Sequence, residues 1–176
     1  GTTSGEAWEV FQKGHDLVRR YTREDHERAK QNYLHALSFD PNYLCAIVAL
    51  GFCHLDELRL GWSPDAAQSL KEASALVKRA GALAERHADV LALEAYVNYF
   101  EENYKEALQL IHQAVTEAPE SSEIIGYKGA LHDLMGDFDK AIEAYKLAIS
   151  KSLFSPAWIP ANLALSLLAL NKNVEA

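Results

Sequence analysis

The sequence predicts an all-α fold: a solenoid of stacked helix pairs with about four full repeats, a partial fifth and a long second repeat. Three observations predict it. Small residues recur at fixed offsets: Ala95 to Ala107 is twelve residues, Ala107 to Ala114 seven and Ala114 to Pro119 five, and Gly129, Ala141 and Ala148 repeat the twelve and the seven thirty-four residues on. Apolar residues make up 49% of the 176 positions, enough to bury a core. Helix-start chemistry falls where the small-residue register puts helix ends.

Two helices cross closely only where side chains nearly vanish, so a fixed period of small residues marks the crossings. Ala73, Ala107 and Ala141 are successive equivalents, as are Ala80, Ala114 and Ala148, while Tyr104 pairs with Phe138 and Ala95 with Gly129. Gly14, Ala29, Ala36 and Pro41 form an earlier copy with three extra residues between its helices. Gly51, Ala73 and Ala80 form another with about ten extra, and Ala164 and Ala176 begin a fifth.

Taken in order, residues 1–5 read as a flexible lead or an appended remnant, and 6–176 as the repeat domain. First helices are expected near 6–20, 42–58, 88–100, 121–135 and 156–170, and second helices near 24–39, 64–86, 104–117 and 138–151. The repeats then fall near 7–41, 42–87, 88–121, 122–155 and 156–176. Thr22 with Asp25, and Asn103 with Glu106, have capping-box spacing at second-helix starts. Ser63 stands as a cap before Pro64, and Gly136 is placed to take the left-handed conformation that ends a helix.

The insertion between Leu58 and Ala73 contains Leu60-Gly61-Trp62-Ser63-Pro64 and lengthens the following helix, with Trp62 either closing over the extension or meeting a partner. The last second helix is only begun at Val174-Glu175-Ala176, so an apolar face is expected to stand open where it would stack.

Composition excludes several functions. A net charge of −8, from 25 acidic and 17 basic residues, opposes a phosphate-binding surface, so no nucleic-acid partner is expected. No run approaches a membrane span; the stretch from Ile159 to Leu170 is interrupted by Pro160 and Asn162. Cys45 and Cys53, about 12 Å apart along one helix, are too far apart to bridge and read as reduced thiols, which points to a cytoplasmic location.

Chemistry-bearing motifs are missing. None of the seven histidines forms a His-Glu-x-x-His pair, and there is no Gly-rich phosphate loop, Cys-x-x-Cys or Gly-x-Ser-x-Gly turn. The segment is expected to be non-catalytic, with no metal and no cofactor. His54 and His132 each fall three residues after the small residue of their helix, where packing between helices explains them.

Asn103-Tyr104-Lys105-Glu106-Ala107 and Gly136-Asp137-Phe138-Asp139-Lys140-Ala141 resemble the turn into the second helix of a tetratricopeptide repeat. Phe39-Asp40-Pro41 and Glu117-Ala118-Pro119 resemble its repeat endings. The resemblance covers about residues 6–176 and implies a right-handed superhelical solenoid of such helix pairs, a fold that serves many unrelated functions.

The family's geometry lines the concave groove with first-helix residues near the small position. It implies a partner-binding surface of Trp8, Phe11, His15, Arg19, Val48, Phe52, Leu55, Asp56, Tyr96, Tyr99, Phe100, Asp133 and Trp158. The family's clamp for a terminal carboxylate needs polar or basic residues where this chain has Phe11, Val48, Phe52 and Ala92, so that mode is set aside. The aromatic character fits an apolar or helical segment of a protein or peptide. Alternatively these rings fill a tightly curved superhelix, or serve a homo-oligomer or a structural spacer.

The order of Arg20 to Asp25, Asp40 to Tyr43 and Gly61-Trp62 is also similar to repeat regions of bacterial multidomain regulators that carry a class III nucleotide cyclase or a winged-helix domain. That resemblance implies a regulatory scaffolding module of a larger signalling protein, with any catalytic domain elsewhere. An accessory region of an enzyme such as a glycosyltransferase is a further alternative.

Overall fold

A computed structural model describes residues 4–174. It divides into two compact units, Gly1–Glu85 and Arg86–Ala176. The first holds α1 (Gly5–Val18), α2 (Arg23–Phe39), α3 (Leu44–Arg59) and α4 (Ala66–Ala84). The second holds α5 (Ala88–Phe100), α6 (Tyr104–Glu117), α7 (Ser122–Leu134), α8 (Phe138–Lys151) and α9 (Trp158–Val174). Among the described residues there is no strand.

Within the first unit α1 packs on α2, α2 on α3 and α3 on α4; within the second α5 packs on α6, α7 on α8, and α8 on α9. The crossings sit where the small residues predicted them. Ala29, Ala36, Ala73, Ala80, Ala95, Ala107, Ala114, Ala141 and Ala148 are all completely buried. At two crossings even a methyl group is excluded: a Cβ on Gly14 would lie 2.8 Å from the Tyr33 ring, and one on Gly129 would lie 2.7 Å from the Tyr145 ring. Where the first-helix residue is Ala95, the position equivalent to Tyr145 is Ile111, itself fully buried. Ring size and backbone space are thus matched within each pair.

The turns between paired helices repeat one device. Tyr21, Gly61, Glu102 and Gly136 each have positive φ, at 53°, 66°, 63° and 75°. After three of them the next amide reaches back five residues: Trp62 N–H to the Glu57 carbonyl at 2.9 Å, Asn103 to Asn98 at 2.8 Å and Asp137 to His132 at 2.9 Å. These bonds satisfy carbonyls that a helix end would leave open.

Caps agree with the sequence in part. Thr22 caps α2, its oxygen accepting from the Asp25 amide at 3.1 Å. Asn103 occupies the cap position of α6 without a side-chain cap bond, because its ψ of 56° lies outside the extended region that aims a capping side chain at the helix. Its side-chain amide instead faces Asn98 Oδ1 at 3.4 Å. Ser63 is not the cap of α4 and Pro64 does not open it: Asp65 caps the helix, accepting from Gln68 N–H at 3.0 Å, while Ser63 Oγ accepts from Asp65 N–H.

Ser4 caps α1 and Gly5 already belongs to it; residues 1–3 of the expected lead lie outside those described. At the other end α9 runs through Val174 without the expected break near 170, and Glu175 and Ala176 lie outside the described residues.

Candidate functional site

In the second unit, aromatic rings link the three first helices. The Tyr96 hydroxyl of α5 donates to the Tyr127 carbonyl of α7 at 2.8 Å, and their rings meet edge-on at 6.1 Å. Tyr127 stacks on Trp158 of α9 at 5.5 Å with an interplanar angle of 19°, and its hydroxyl donates to Glu123 Oε1 at 3.1 Å. A second cluster closes the end of α5: Tyr99 donates to the Leu134 carbonyl at 2.9 Å and touches Phe100 at 5.2 Å and the exposed Tyr104 at 5.7 Å. Tyr96, Tyr127 and Tyr99 are each held by the polar end, so the rings are fixed rather than free to rotate out.

In the first unit, the inserted segment lines one side of an open pocket of about 390 Å³ between α2, α3 and α4. Its floor is the Glu57 carboxylate, which accepts from Lys30 Nζ at 2.6 Å and from Ser69 Oγ at 3.1 Å; Ser63 in turn donates to Ser69 at 2.8 Å. His26 donates to the Cys53 carbonyl at 3.0 Å, and Trp62 meets its ring edge-on at 5.4 Å. Trp62 is half-buried and closes the extension from inside the unit. Burial alone would raise the Glu57 carboxyl, but the Lys30 ammonium holds it below its ordinary value. Burial pushes the Cys53 thiol well up, and Cys45 is exposed; the two form no disulfide with each other.

Among the described residues no group of three or more His, Cys, Asp or Glu is placed to hold a metal. No described helix is long and apolar enough to cross a membrane.

Residues 128–150 match the family model of the tetratricopeptide repeat. Solved structures with similar backbones include a thermophilic TPR protein of Thermus thermophilus, at 17% identity and TM-score 0.65, covering 92% of this chain and 99% of that one. This is a tetratricopeptide-repeat fold. PilF of Pseudomonas aeruginosa is similar at 23% identity and TM-score 0.58, over 96% of this chain and 71% of that one. A double mutant of MamA RS-1 is similar at 16% identity and TM-score 0.52, over 99% and 96%. No curated protein sequence matches the chain.

Against the groove that the tetratricopeptide geometry implied, the residues divide by exposure. In the first unit Trp8 is 54% exposed and Arg19 is exposed, while His15 and Phe52 are half-buried. Phe11 is enclosed by His15, Tyr33 and Tyr43, with ring centroids 5.9, 5.5 and 5.2 Å away. Val48 and Leu55, at 7% and 2% exposed, belong to the core and offer no contact area; Asp56 is paired with Arg59 at 2.9 Å. In the second unit Tyr99, Phe100 and Trp158 are half-buried, and Tyr96 is 7% exposed. Asp133 faces inward, accepting from the Tyr145 hydroxyl at 2.6 Å and Ser166 Oγ at 2.7 Å.

Tyr127 is the ring that the sequence reading passed over. The signal was present: Tyr96, Tyr127 and Trp158 are spaced by 31 and 31 residues, a second period offset from the small-residue one.

Proposed function

We propose that this chain is a non-catalytic protein-interaction module that receives an apolar or helical segment of a protein partner on the aromatic side chains of its first helices. The supporting observation is the cluster at the end of α5. Tyr99 is fixed by its bond to the Leu134 carbonyl, and Phe100 and Tyr104 surround it with apolar area still open to solvent. Rigid aromatic anchors contribute contact area with little loss of side-chain entropy, which is why they dominate binding surfaces. Trp158 extends this set within the second unit; in the first unit, taken by itself, Trp8 and Arg19 are exposed and His15 is half-buried.

The mutual contact of Tyr96, Tyr127 and Trp158 favours a second reading, in which those rings fill one another's space and the array is a spacer. The two readings part on one experiment. Peptides selected on the immobilised chain from a random display library are titrated against the wild type and against Phe100→Ala and Trp158→Ala, with far-UV circular dichroism as the folding control. The interaction reading expects at least a tenfold loss of affinity with helicity retained. Failure to select any peptide, or unchanged affinity in both variants, favours the spacer.

We further place the module in the cytoplasm, as the regulatory part of a larger bacterial signalling protein. That placement rests on the likeness of Arg20 to Asp25, Asp40 to Tyr43 and Gly61-Trp62 to such regulators. Reading the full open frame tests it: a flanking cyclase or DNA-binding domain supports the placement, and a frame that codes for neither overturns it.

A further inference from the structure

The long second repeat holds an open pocket that the partner-binding reading does not use. It lies within the first unit, about 390 Å³ in volume, with α2 on one side, α4 on the other and α3 as its floor. The insertion after α3 shapes it. Gly61 turns the chain with a φ of 66°, and the Trp62 and Ser63 amides both return to the Glu57 carbonyl, at 2.9 and 3.2 Å, which sets Trp62 against the pocket. A hollow of this size takes a small molecule, or one side chain of a larger one.

Its charge selects the ligand. Glu27, Glu57, Asp65 and Glu72 line it, against Arg23 and Lys30. The Lys30 ammonium is 2.6 Å from Glu57 and 3.7 Å from Glu27, so one cation serves two carboxylates. Asp65 caps α4, and Glu72 accepts from the neutral side chain of Gln68 at 2.5 Å. Burial holds the His54 ring below its ordinary pKa, so it adds no cation at neutral pH. The exposed Glu27 of α2 and Glu72 of α4 thus bring negative charge from both sides with too little cation to meet it.

Two further features agree. The half-buried Trp62 indole, edge-on to His26 at 5.4 Å, lines the same pocket, and an indole attracts cations through its ring quadrupole. Glu27, Lys30, His54 and Glu72 also line a neighbouring hollow walled by leucines, among them Leu34 at 47% exposed.

We propose that this pocket binds an organic cation, an ammonium or guanidinium group seated among Glu27, Glu72 and Trp62 on an alkyl stem that continues over Leu34. A free amine or guanidine and the lysine or arginine side chain of a partner share this chemistry. The inference goes beyond the partner-binding reading and uses none of the aromatic residues on which that reading rests.

Butylguanidinium and butylurea match in shape and differ in charge. Each is titrated against the ¹⁵N-labelled chain while the Trp62 indole signal, assigned by its loss in Trp62→Phe, is followed. The guanidinium is expected to shift that signal saturably and to bind about tenfold more tightly than the urea, the scale of a charge-assisted hydrogen bond. Glu27→Gln with Glu72→Gln, at two exposed sites, is expected to weaken binding about tenfold with far-UV circular dichroism unchanged. Arg23→Gln, which removes a competing cation from the lining, is expected to tighten it. No saturable shift with the guanidinium, equal affinity for the urea, or unchanged affinity in the double glutamine variant overturns the proposal. Agmatine and acetylarginine amide separate the sources: tighter binding of agmatine assigns a free cation, tighter binding of the capped residue assigns a partner's side chain, and binding of neither overturns the proposal.

Discussion

The Tyr145 ring lies so close to the backbone of Gly129 that a Cβ there would come within 2.7 Å of two of its ring carbons. The pair is the clearest case of the rule on which the fold rests: the second helix brings a large ring only where the first helix brings no side chain. Gly129→Ala is expected to cost about 1–3 kcal/mol, the range for overpacking a filled core. The same substitution in a Tyr145→Leu background is expected to cost much less, since Ala95 and Ile111 already pair an alanine with an aliphatic residue at the equivalent offsets. Urea unfolding of the four proteins in the cycle checks this; an equal cost in both backgrounds contradicts it.

Glu102 holds φ at 63° where the equivalent turn thirty-four residues later uses Gly136. A side chain in the left-handed region costs about 1 kcal/mol or more, and glycine removes that strain. Glu102→Gly is therefore expected to raise stability by about 0.5–1 kcal/mol, read as a higher urea midpoint at unchanged slope. A lower midpoint would mean that the Glu102 side chain contributes more than its backbone strain takes away.

Lys30 and Glu57 form an ion pair at 2.6 Å, with side chains 15% and 11% exposed. Removing one partner leaves a nearly buried charge without its counterion. Lys30→Met is expected to destabilise by about 3 kcal/mol, whereas Lys30→Met with Glu57→Leu recovers most of the loss. Denaturant unfolding reads both, and no recovery in the double variant contradicts the assignment.

Acid should weaken the fold in two stages. His54 and His132 are both lowered from 6.5, each chiefly by burial. The folded chain thus binds fewer protons than the unfolded one as pH drops below about 6.5, and stability falls with it. Glu57, lowered from 4.5, adds a further loss as pH falls below that value. The melting temperature is expected to be flat above about pH 7.5 and to decline from about 6.5 to 5. His132→Leu should shrink that decline, since both ring nitrogens of His132 are buried without a hydrogen bond. A melting temperature that does not change across this range contradicts the burial of these rings.

The helix order was legible because the small residues carry it: α6 and α8 begin and end where their register placed them. The partner-facing residues were less legible. An offset from the crossing tells which side of a helix a residue occupies, not how deep the neighbouring helix sits. Val48 and Leu55 lie about one turn on either side of Gly51, near enough to the crossing to be buried. Asp133 follows Gly129 by four residues, on the face that Tyr145 covers, and was claimed by that hydroxyl. Asn103 has the spacing of a cap, but the bond from its own backbone amide to Asn98 sets a conformation that cannot use it.

The partner-binding reading is tested most directly by mapping where a library-selected peptide lands on the ¹⁵N-labelled chain. The indole signal of Trp158 and the amides of Tyr99 and Phe100 should shift in proportion to occupancy, while the indole of Trp62, half-buried in the first unit, stays in place. Shifts confined to Trp62, or saturation of binding with the Tyr99, Phe100 and Trp158 signals unmoved, would contradict the assignment of the first-helix aromatics as the site.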